Sequence, residues 1–397
     1  MEILFISHKY PPAIGGMEKH AYELQSRLQS HFKIHQLVYD NQEGRFRFFY
    51  YLKKRVRTIL KAHPNIQLVY ANDGLLASQL AWLKKESTVK VVATVHGLDV
   101  VHPNAFYQKY IKKNLSKLDH LIAVSQATKS ACLQRGITPQ KVTVIKNGVD
   151  HELANTQLQP NFLEQFATNN NIPLAGKKLL VTMGRPVKRK GFSWFVTKVV
   201  PHLQKDIVLL MIGPRTNTLP AFWNYLPKSF QTQFELATGI ANDELALTKS
   251  LKNPTIKEQV FEVGKLPFSE VLQLLATADL FIMPNIQVQG DMEGFGLVAL
   301  EAALCGTPVL AAGIEGIRDA VQEGGNGYLL ASKDATIWVD TIHSLLADTS
   351  LSSFGQQAKA FTLNHYSWRK MANEYQAIFS AQHPMEQPIS MPLLKAS

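Results

Sequence analysis

Glu293-Gly-Phe-Gly-Leu-Val-Ala-Leu-Glu301 sets two carboxylates eight residues apart across a glycine-rich turn. The apolar segment opened by the turn stops at Gly306-Thr-Pro308, and Val309-Leu-Ala-Ala312 reads as the next buried strand. Glu293 is thereby placed on a loop, and Glu301 on a short helix. The amides of Phe295, Gly296 and Leu297 lie between them, and a helix N-terminus with glycines for close approach is an anion site. Carboxylates flanking an anion site suit a ligand with hydroxyls at both ends and phosphate in the middle, as in a nucleotide sugar. The macrodipole alone also favours glutamate early in a helix, so this pair needs a second signal.

That signal is Gly184-Arg-Pro-Val-Lys-Arg-Lys-Gly191, which follows the apolar run 179–183 and precedes Phe192-Ser-Trp-Phe-Val196. The pattern is strand, basic loop, helix, with four cations in six residues. Arginine offers a planar fork to phosphate oxygens and lysine a point charge on a long stem. Arg185 and Lys190, each beside a glycine, are the ligand candidates, while Lys188 and Arg189 are expected on a solvated surface.

A chain of 397 residues exceeds one typical core, so two domains are expected. With 46% apolar and 18% charged residues, the composition is that of a globular protein. Met1 runs directly into an apolar strand, so no secretory leader is expected. The most apolar stretch, 297–314, carries Glu301, Gly306 and Pro308 and reads as helix, turn and strand, not a membrane span. Cys132 and Cys305 sit in helical surroundings, which points to free thiols and a reducing cytoplasm. There is no CxxC, HExxH or Asp-x-Asp, so neither a metal nor another cofactor is expected. Charge is uneven. Residues 1–160 hold 22 Lys and Arg against 11 Asp and Glu, which accounts for the whole net charge of +11. A negatively charged partner is expected on that half.

Strand-like runs at 3–7, 34–39, 68–70, 89–95, 121–124 and 142–145 alternate with helical patterns. A second set follows at 179–183, 207–212, 260–263, 280–283, 308–311 and 328–330. Parallel βαβ units result, giving an α/β chain of two doubly wound, Rossmann-like sheets facing each other across a cleft. Ligands in such sheets bind outside the carboxyl ends of the strands, where both phosphate-site candidates fall. Residues 1–160 form the first domain and 161–365 the second, with a polar linker over 150–175. The tail from Gln382, with three prolines, is expected to be poorly ordered.

The Arg-x4-Lys pair (Arg185, Lys190) and the Glu-x7-Glu pair (Glu293, Glu301), in this order and about a hundred residues apart, resemble the retaining glycosyltransferases of family four. Further matching pieces are Gly15-Gly16, Thr94-Val-His96-Gly97, Ile122-Ala-Val-Ser125, Val144-Ile-Lys-Asn147-Gly-Val-Asp150 and Asn326-Gly-Tyr-Leu-Leu330, so the likeness runs over nearly the whole chain. The resemblance implies the GT-B architecture, with a last helix near 366–380 crossing back onto the first domain. It implies transfer of a sugar from a UDP- or GDP-sugar to a glycan or lipid-linked acceptor, with retention and without a metal. Arg185 and Lys190 would neutralise the diphosphate, Glu293 would face the sugar hydroxyls, and Glu301 would take the ribose hydroxyls. His96 would touch the donor sugar, Gly15 and Gly16 would admit phosphate, and the base would lie near Val263 and Leu266. A nucleotide-sugar 2-epimerase of the same fold, or a nucleotide-sugar binder without catalysis, are the alternatives.

One segment departs from the family. Between Pro214 and Val260, an insertion at about 215–258 carries Phe222, Trp223, Tyr225, Phe230 and Phe234, and is expected to be a helical cap or a partner-contacting element. In the first domain, Arg45-Phe-Arg-Phe-Phe-Tyr-Tyr-Leu-Lys-Lys-Arg-Val-Arg-Thr-Ile-Leu-Lys61 is basic and aromatic at once. On a helix Phe48, Leu52, Val56 and Ile59 share one face, with Lys53, Lys54, Arg57 and Lys61 on the others. Lys109, Lys112, Lys113 and Lys117 form a second basic stretch. An anionic membrane surface is the expected partner, with the protein peripheral on the inner face of the cell membrane; no nucleic acid is expected.

Overall fold

The computed structural model describes residues 1–214, 227, 230, 231 and 243–382. The first six strands are β1 (Glu2–Ser7), β2 (Lys33–Val38), β3 (Ile66–Ala71), β4 (Lys90–Val95), β5 (His120–Ala123) and β6 (Val142–Val144). They form one parallel sheet in the order β2-β1-β3-β4-β5-β6. The second six are β7 (Lys178–Met183), β8 (Ile207–Ile212), β9 (Val260–Gly264), β10 (Leu280–Met283), β11 (Val309–Ala312) and β12 (Gly327–Leu330), ordered β12-β11-β10-β7-β8-β9. The two-sheet α/β architecture is thus as expected. Each strand lies within two residues of its expected bounds.

Strand periodicity puts the first sheet's side chains into two separate cores. Leu4, Ile6, Val69, Ala71, Val91 and Val95 face α2 (Arg45–Ala62), through its Phe48, Leu52 and Val56, and the helix Ala105–Leu115. Ile3, Phe5, Leu68, Tyr70 and Val92 face the other way, onto α1 (Gly16–Leu28) and the C-terminal helix Trp368–Ala381. That last helix buries Trp368, Met371, Tyr375 and Phe379 against the first sheet. Its Tyr375 hydroxyl also meets Thr94 on β4 at 2.8 Å and His20 on α1 at 3.2 Å. The chain therefore ends its described part on the domain where it began.

The polar stretch after Asp150 is more ordered than a plain linker. It forms a 3-10 turn (His151–Asn155) and the helix Phe162–Asn169. Gln273 holds it between them, accepting from Gln159 N at 2.9 Å and donating to Gln157 O at 2.7 Å. Leu153 and Ala154 join Val124, Val149, Phe295, Leu300, Leu304, Ala320 and Tyr366 in a small core shared by the two domains.

The expected aromatic cap at 215–258 falls largely outside the described residues, with Phe222, Trp223, Tyr225 and Phe234; Phe230 is described and 53% exposed. The tail expected to be poorly ordered also lies outside them, apart from Gln382.

The basic helix needs a correction. The apolar face of α2 packs on the sheet as expected, but several of its cations are engaged. Lys53 and Arg57 both pair with Glu86, at 3.3 and 2.6 Å, and lie over the Trp82 ring. Arg55 pairs with Glu43. Acids recruited from neighbouring segments, which no helical periodicity reveals, have satisfied half of the expected basic face.

Gly148 marks where the chain crosses itself. A Cβ there would overlap the backbone of Ser367 and Trp368, at the start of the C-terminal helix. Backbone cannot swing aside as a side chain can, so Gly148→Ala should destabilise the protein by about 1–3 kcal/mol. An unchanged thermal midpoint in that variant would mean that the helix does not dock here.

Candidate functional site

The site forms where loops at the carboxyl ends of both sheets meet. After β10, the chain runs through residues 284–296 before entering the helix Leu297–Leu304. Gly296, the residue before this helix, has a φ of 100°, a left-handed conformation that glycine adopts without strain. No side chain caps the helix. The amides of Phe295, Gly296 and Leu297 have no intramolecular acceptor among the described residues. The Phe295 ring itself is buried in the shared core near Tyr366, so only its backbone is offered to a ligand.

Glu293 lies at the centre of a dense charge cluster. Its Oε2 is 2.8 Å from Lys190 Nζ and 3.4 Å from Arg189 Nε, and it accepts from Asn285 Nδ2 at 3.2 Å. Burial would by itself raise this carboxyl, but Lys190 and Arg189 outweigh it and hold it at about 2. The group is a carboxylate throughout the physiological range.

Arg189 overturns its expected place on a solvated surface. Its side chain is only 18% exposed, and the guanidinium reaches Asp291 at 3.1 Å as well as Glu293. The tight 3-10 turn Lys188–Lys190 sends Lys188 outward and Arg189 and Lys190 toward the 284–296 loop. Arg185, at the start of the basic loop, is exposed, with Glu18, Arg189, Asp291 and Glu293 as charged neighbours. Arg185, Lys190 and Glu293 thus fall together.

Glu301 projects from the second turn of the Leu297–Leu304 helix and is buried. Its partner is Lys19 of α1, across the cleft, at 3.1 Å. The Lys19 ammonium also lies 5.5 Å from the centre of the Phe268 ring, at the start of the helix Phe268–Thr277 that follows β9. Val263 and Leu266 belong to the same domain as Glu301 and pack against its core. Sequence reading missed Lys19, because nothing local couples it to a residue 282 positions away.

On the first domain, His96 follows β4 and its Nε2 is 2.8 Å from the Asn72 carbonyl. A carbonyl can only accept, so Nε2 carries a proton and donates it there. His20 stands edge-on at 5.0 Å; burial, with His96 adding, pushes it well below its usual value, so it is neutral. Asp99, three residues after His96, is committed to structure. Its two oxygens accept from Gly74 N and His96 N.

The His96 carbonyl touches the opposite domain. A Cβ on Gly294 would overlap it. Gly16 in turn faces Leu297, whose Cδ1 would be 3.4 Å from a Cβ there. Gly15 precedes α1 in an extended conformation, with the Glu18 carboxylate folded over it. The first-domain glycines therefore confront the N-terminus of the Leu297–Leu304 helix. Among the described residues no group of three His, Cys, Asp or Glu is arranged to hold a metal ion.

Two six-stranded sheets thus share a cleft where a basic loop, a helix terminus and two carboxylates meet, the arrangement that the sequence resemblance implies. Comparison with known proteins agrees. Residues 165–361 match the family described as Glycosyl transferases group 1, and residues 14–153 match Glycosyltransferase Family 4. The chain belongs to the family-four glycosyltransferases and is an enzyme of that class. It is 24% identical over 328 residues to the N-acetyl-alpha-D-glucosaminyl L-malate synthase of Bacillus anthracis, covering 79% of this chain and 74% of the synthase. It is 26% identical over 323 residues to the D-inositol 3-phosphate glycosyltransferase of Corynebacterium efficiens, covering 77% of this chain and 69% of that enzyme. Its fold is that of HepE from Anabaena, solved in complex with UDP, with a TM-score of 0.72 at 19% identity over 96% of this chain and 100% of HepE.

The charge cluster makes a pH-dependent prediction. A carboxyl held below its ordinary value contributes stability that is complete above that value, about 4.5, and lost as pH falls toward 2. Lys190→Ala should cost about 3 kcal/mol at pH 7, by leaving a buried carboxylate short of a cation. The deficit should shrink as pH is lowered, because the wild type loses its advantage on the way down. Denaturant melts at pH 7 and pH 3.5 giving the same deficit would refute the paired, ionised Glu293.

Proposed function

We propose that this enzyme transfers a sugar from a UDP- or GDP-sugar to a hydroxyl of a glycan or lipid-linked acceptor, with retention and without a metal ion. The observation that carries this reading is the ion cluster of Lys190, Arg189 and Glu293, beside three unsatisfied amides and one helix turn from Glu301. Binding of UDP and UDP-glucose by HepE supports a nucleotide-sugar donor.

In this reading the diphosphate sits on the Phe295, Gly296 and Leu297 amides, with Arg185 and Lys190 as its cations. Glu293, already ionised, accepts hydrogen bonds from the sugar hydroxyls. Glu301 takes both ribose hydroxyls, which replace Lys19 as its partner, and the base lies by Val263 and Leu266. His96 and the Gly15-Gly16 turn close the donor from the first domain, which also holds the acceptor.

The acceptor oxygen forms its bond to the anomeric carbon on the face from which the diphosphate leaves. The glycosidic C–O bond breaks with its electron pair staying on the phosphate, and the acceptor proton passes to that phosphate oxygen. The cations and helix amides stabilise the charge as it develops, the role a metal plays elsewhere. No carboxylate need attack the sugar.

Glu301→Ala and Arg185→Ala should each lose about 2–4 kcal/mol of transition-state stabilisation, roughly 30- to 1000-fold in kcat/KM. Their melting curves should stay near wild type. The same assay should be insensitive to EDTA. Near-wild-type kcat/KM in either variant contradicts the site, and loss with EDTA that Mn²⁺ or Mg²⁺ restores contradicts metal independence.

The first domain's outer face supports a second part of the proposal, reversible binding to anionic bilayers. Phe46 and Phe106 are 83% and 87% exposed, and Tyr50 and Tyr110 are also exposed. They lie on α2 and on the helix Ala105–Leu115, which pack on the same face of the sheet and start from its carboxyl edge, beside the cleft. Lys54, Lys61, Lys109 and Lys113 are exposed on these helices, with no acidic partner among the described residues. Each such cation adds about 1 kcal/mol near an anionic leaflet. Among the described residues no helix is long and apolar enough to cross a membrane.

Co-sedimentation should therefore require anionic lipid and weaken between about 0.1 and 0.5 M salt. Replacing Phe46, Phe106, Lys54 and Lys109 with Ser should abolish it. Replacing Lys53, Arg55 and Arg57, which are bound to acids, should have less effect on binding. Equal sedimentation with neutral lipid, or none with anionic lipid, would assign the charge to an acidic acceptor.

A further inference from the structure

Glu315 is one of five non-glycine residues in the left-handed backbone region among the described residues, with a φ of 48°. It follows β11 in the turn leading to the short helix Ile317–Ala320. The other four such residues are three asparagines and Lys333. Asparagine tolerates this conformation, whereas a glutamate there stores strain that its surroundings must offset.

What offsets it is a bond to the site. The Glu293 amide donates to Glu315 Oε2 at 2.6 Å. The next residue completes a clamp, because Gly316 N donates to Glu293 O at 3.1 Å. Gly316 also lies so close to the Gly294 carbonyl that a Cβ would overlap it. Both polar groups of the Glu293 main chain are thus held by one turn. The second oxygen of Glu315 has no partner among the described residues.

We propose that Glu315 is a positioning residue, whose carboxylate sets the peptide carrying Glu293 and so aims the Glu293 side chain at the donor sugar. This rests on the reading of Glu293 as the carboxylate that takes the sugar hydroxyls. A bond from an amide to an ionised carboxylate is shorter and stronger than one to a neutral acceptor, so the clamp is tightest when Glu315 is charged.

Its surroundings bring that charge into the physiological range. Asp291 and Glu293 face it from the 284–296 loop, and Arg189 from the basic loop, where Lys190 is engaged with Glu293. Burial pushes the Glu315 carboxyl up, against the Glu293 amide, and with the two acids brings it to about 7. A carboxyl raised in this way destabilises the folded state as pH climbs from about 4.5 through 7, because the unfolded chain has released its proton and the folded chain has not. The ionised clamp therefore works at the expense of stability.

The test uses donor hydrolysis without acceptor, with UDP-glucose, UDP-N-acetylglucosamine and GDP-mannose as probes, between pH 5.5 and 8.5. Wild-type kcat should rise with a midpoint near pH 7, and UDP or GDP should raise its melting temperature. Glu315→Gln keeps an acceptor without the charge. It should run at the wild-type low-pH rate across the range, at least 10-fold below wild type at pH 8, with the nucleotide-induced shift unchanged. It should also melt higher than wild type at pH 8 and equally at pH 4.5, the reverse of what loss of a purely structural bond would do. Glu315→Gly, free of backbone strain, should fold at least as stably and lose at least as much kcat. A Glu315→Gln profile that still rises near pH 7, or a Glu315→Gly enzyme with wild-type kcat, overturns the proposal. Failure of every probe to shift or react with the wild type would instead refute the donor reading beneath it.

Discussion

A tight approach between the domains is made by a residue with no side chain. Gly294 lies against the His96 carbonyl on one side and Gly316 on the other, and a Cβ would fit on neither Gly294 nor Gly316. With those atoms absent, the loop carrying Glu293 reaches the strand end carrying His96, and the shared core around Phe295, Leu300 and Tyr366 closes behind it. A side chain at position 294 would push this loop off the His96 carbonyl and strain the Lys19–Glu301 pair that crosses the cleft. Geometry here is limited by hard-sphere contact, and the electrostatics follow from it.

Those electrostatics are costly to assemble. Burying Asp291 and Glu293 is unfavourable unless cations compensate, and the basic loop supplies Arg189 between them and Lys190 beside Glu293. Arg189 has a fork suited to two acids, and Lys190 a single point of contact that a ligand can more easily share. Arg189, tied to both acids, holds the two loops together, and Arg185 lies more exposed at the start of the basic loop. The Lys19–Glu301 pair adds a charged contact that crosses between the domains.

Much of this was legible before any coordinates. Continuous apolar runs located the twelve strands of the described residues, because both faces of a parallel sheet are buried and its strands are uniformly apolar. The Glu-x7-Glu and Arg-x4-Lys spacings were legible because each falls within a single loop and helix, where sequence distance fixes spatial distance. Long-range pairings were not. Arg189 looked like one cation of a solvated run, and only the acids of a loop a hundred residues away reveal its burial. The basic face of α2 looked free, and Glu43 and Glu86 had already taken half of it. Glu315 had no motif at all, since its significance lies in a backbone angle and a long-range bond.

The sequence by itself therefore determined the two-sheet α/β architecture, the family, and the two local motifs of the donor side. These rest on short-range periodicity and on residue chemistry at fixed spacing. Tertiary structure alone decided which carboxylate met which cation, that Lys19 crosses the cleft to Glu301, and that Glu315 is strained into service beside Glu293. Such pairings depend on where loops end after a whole sheet has folded, and Coulomb and steric interactions between residues 22 to 282 positions apart leave no periodic trace in the chain.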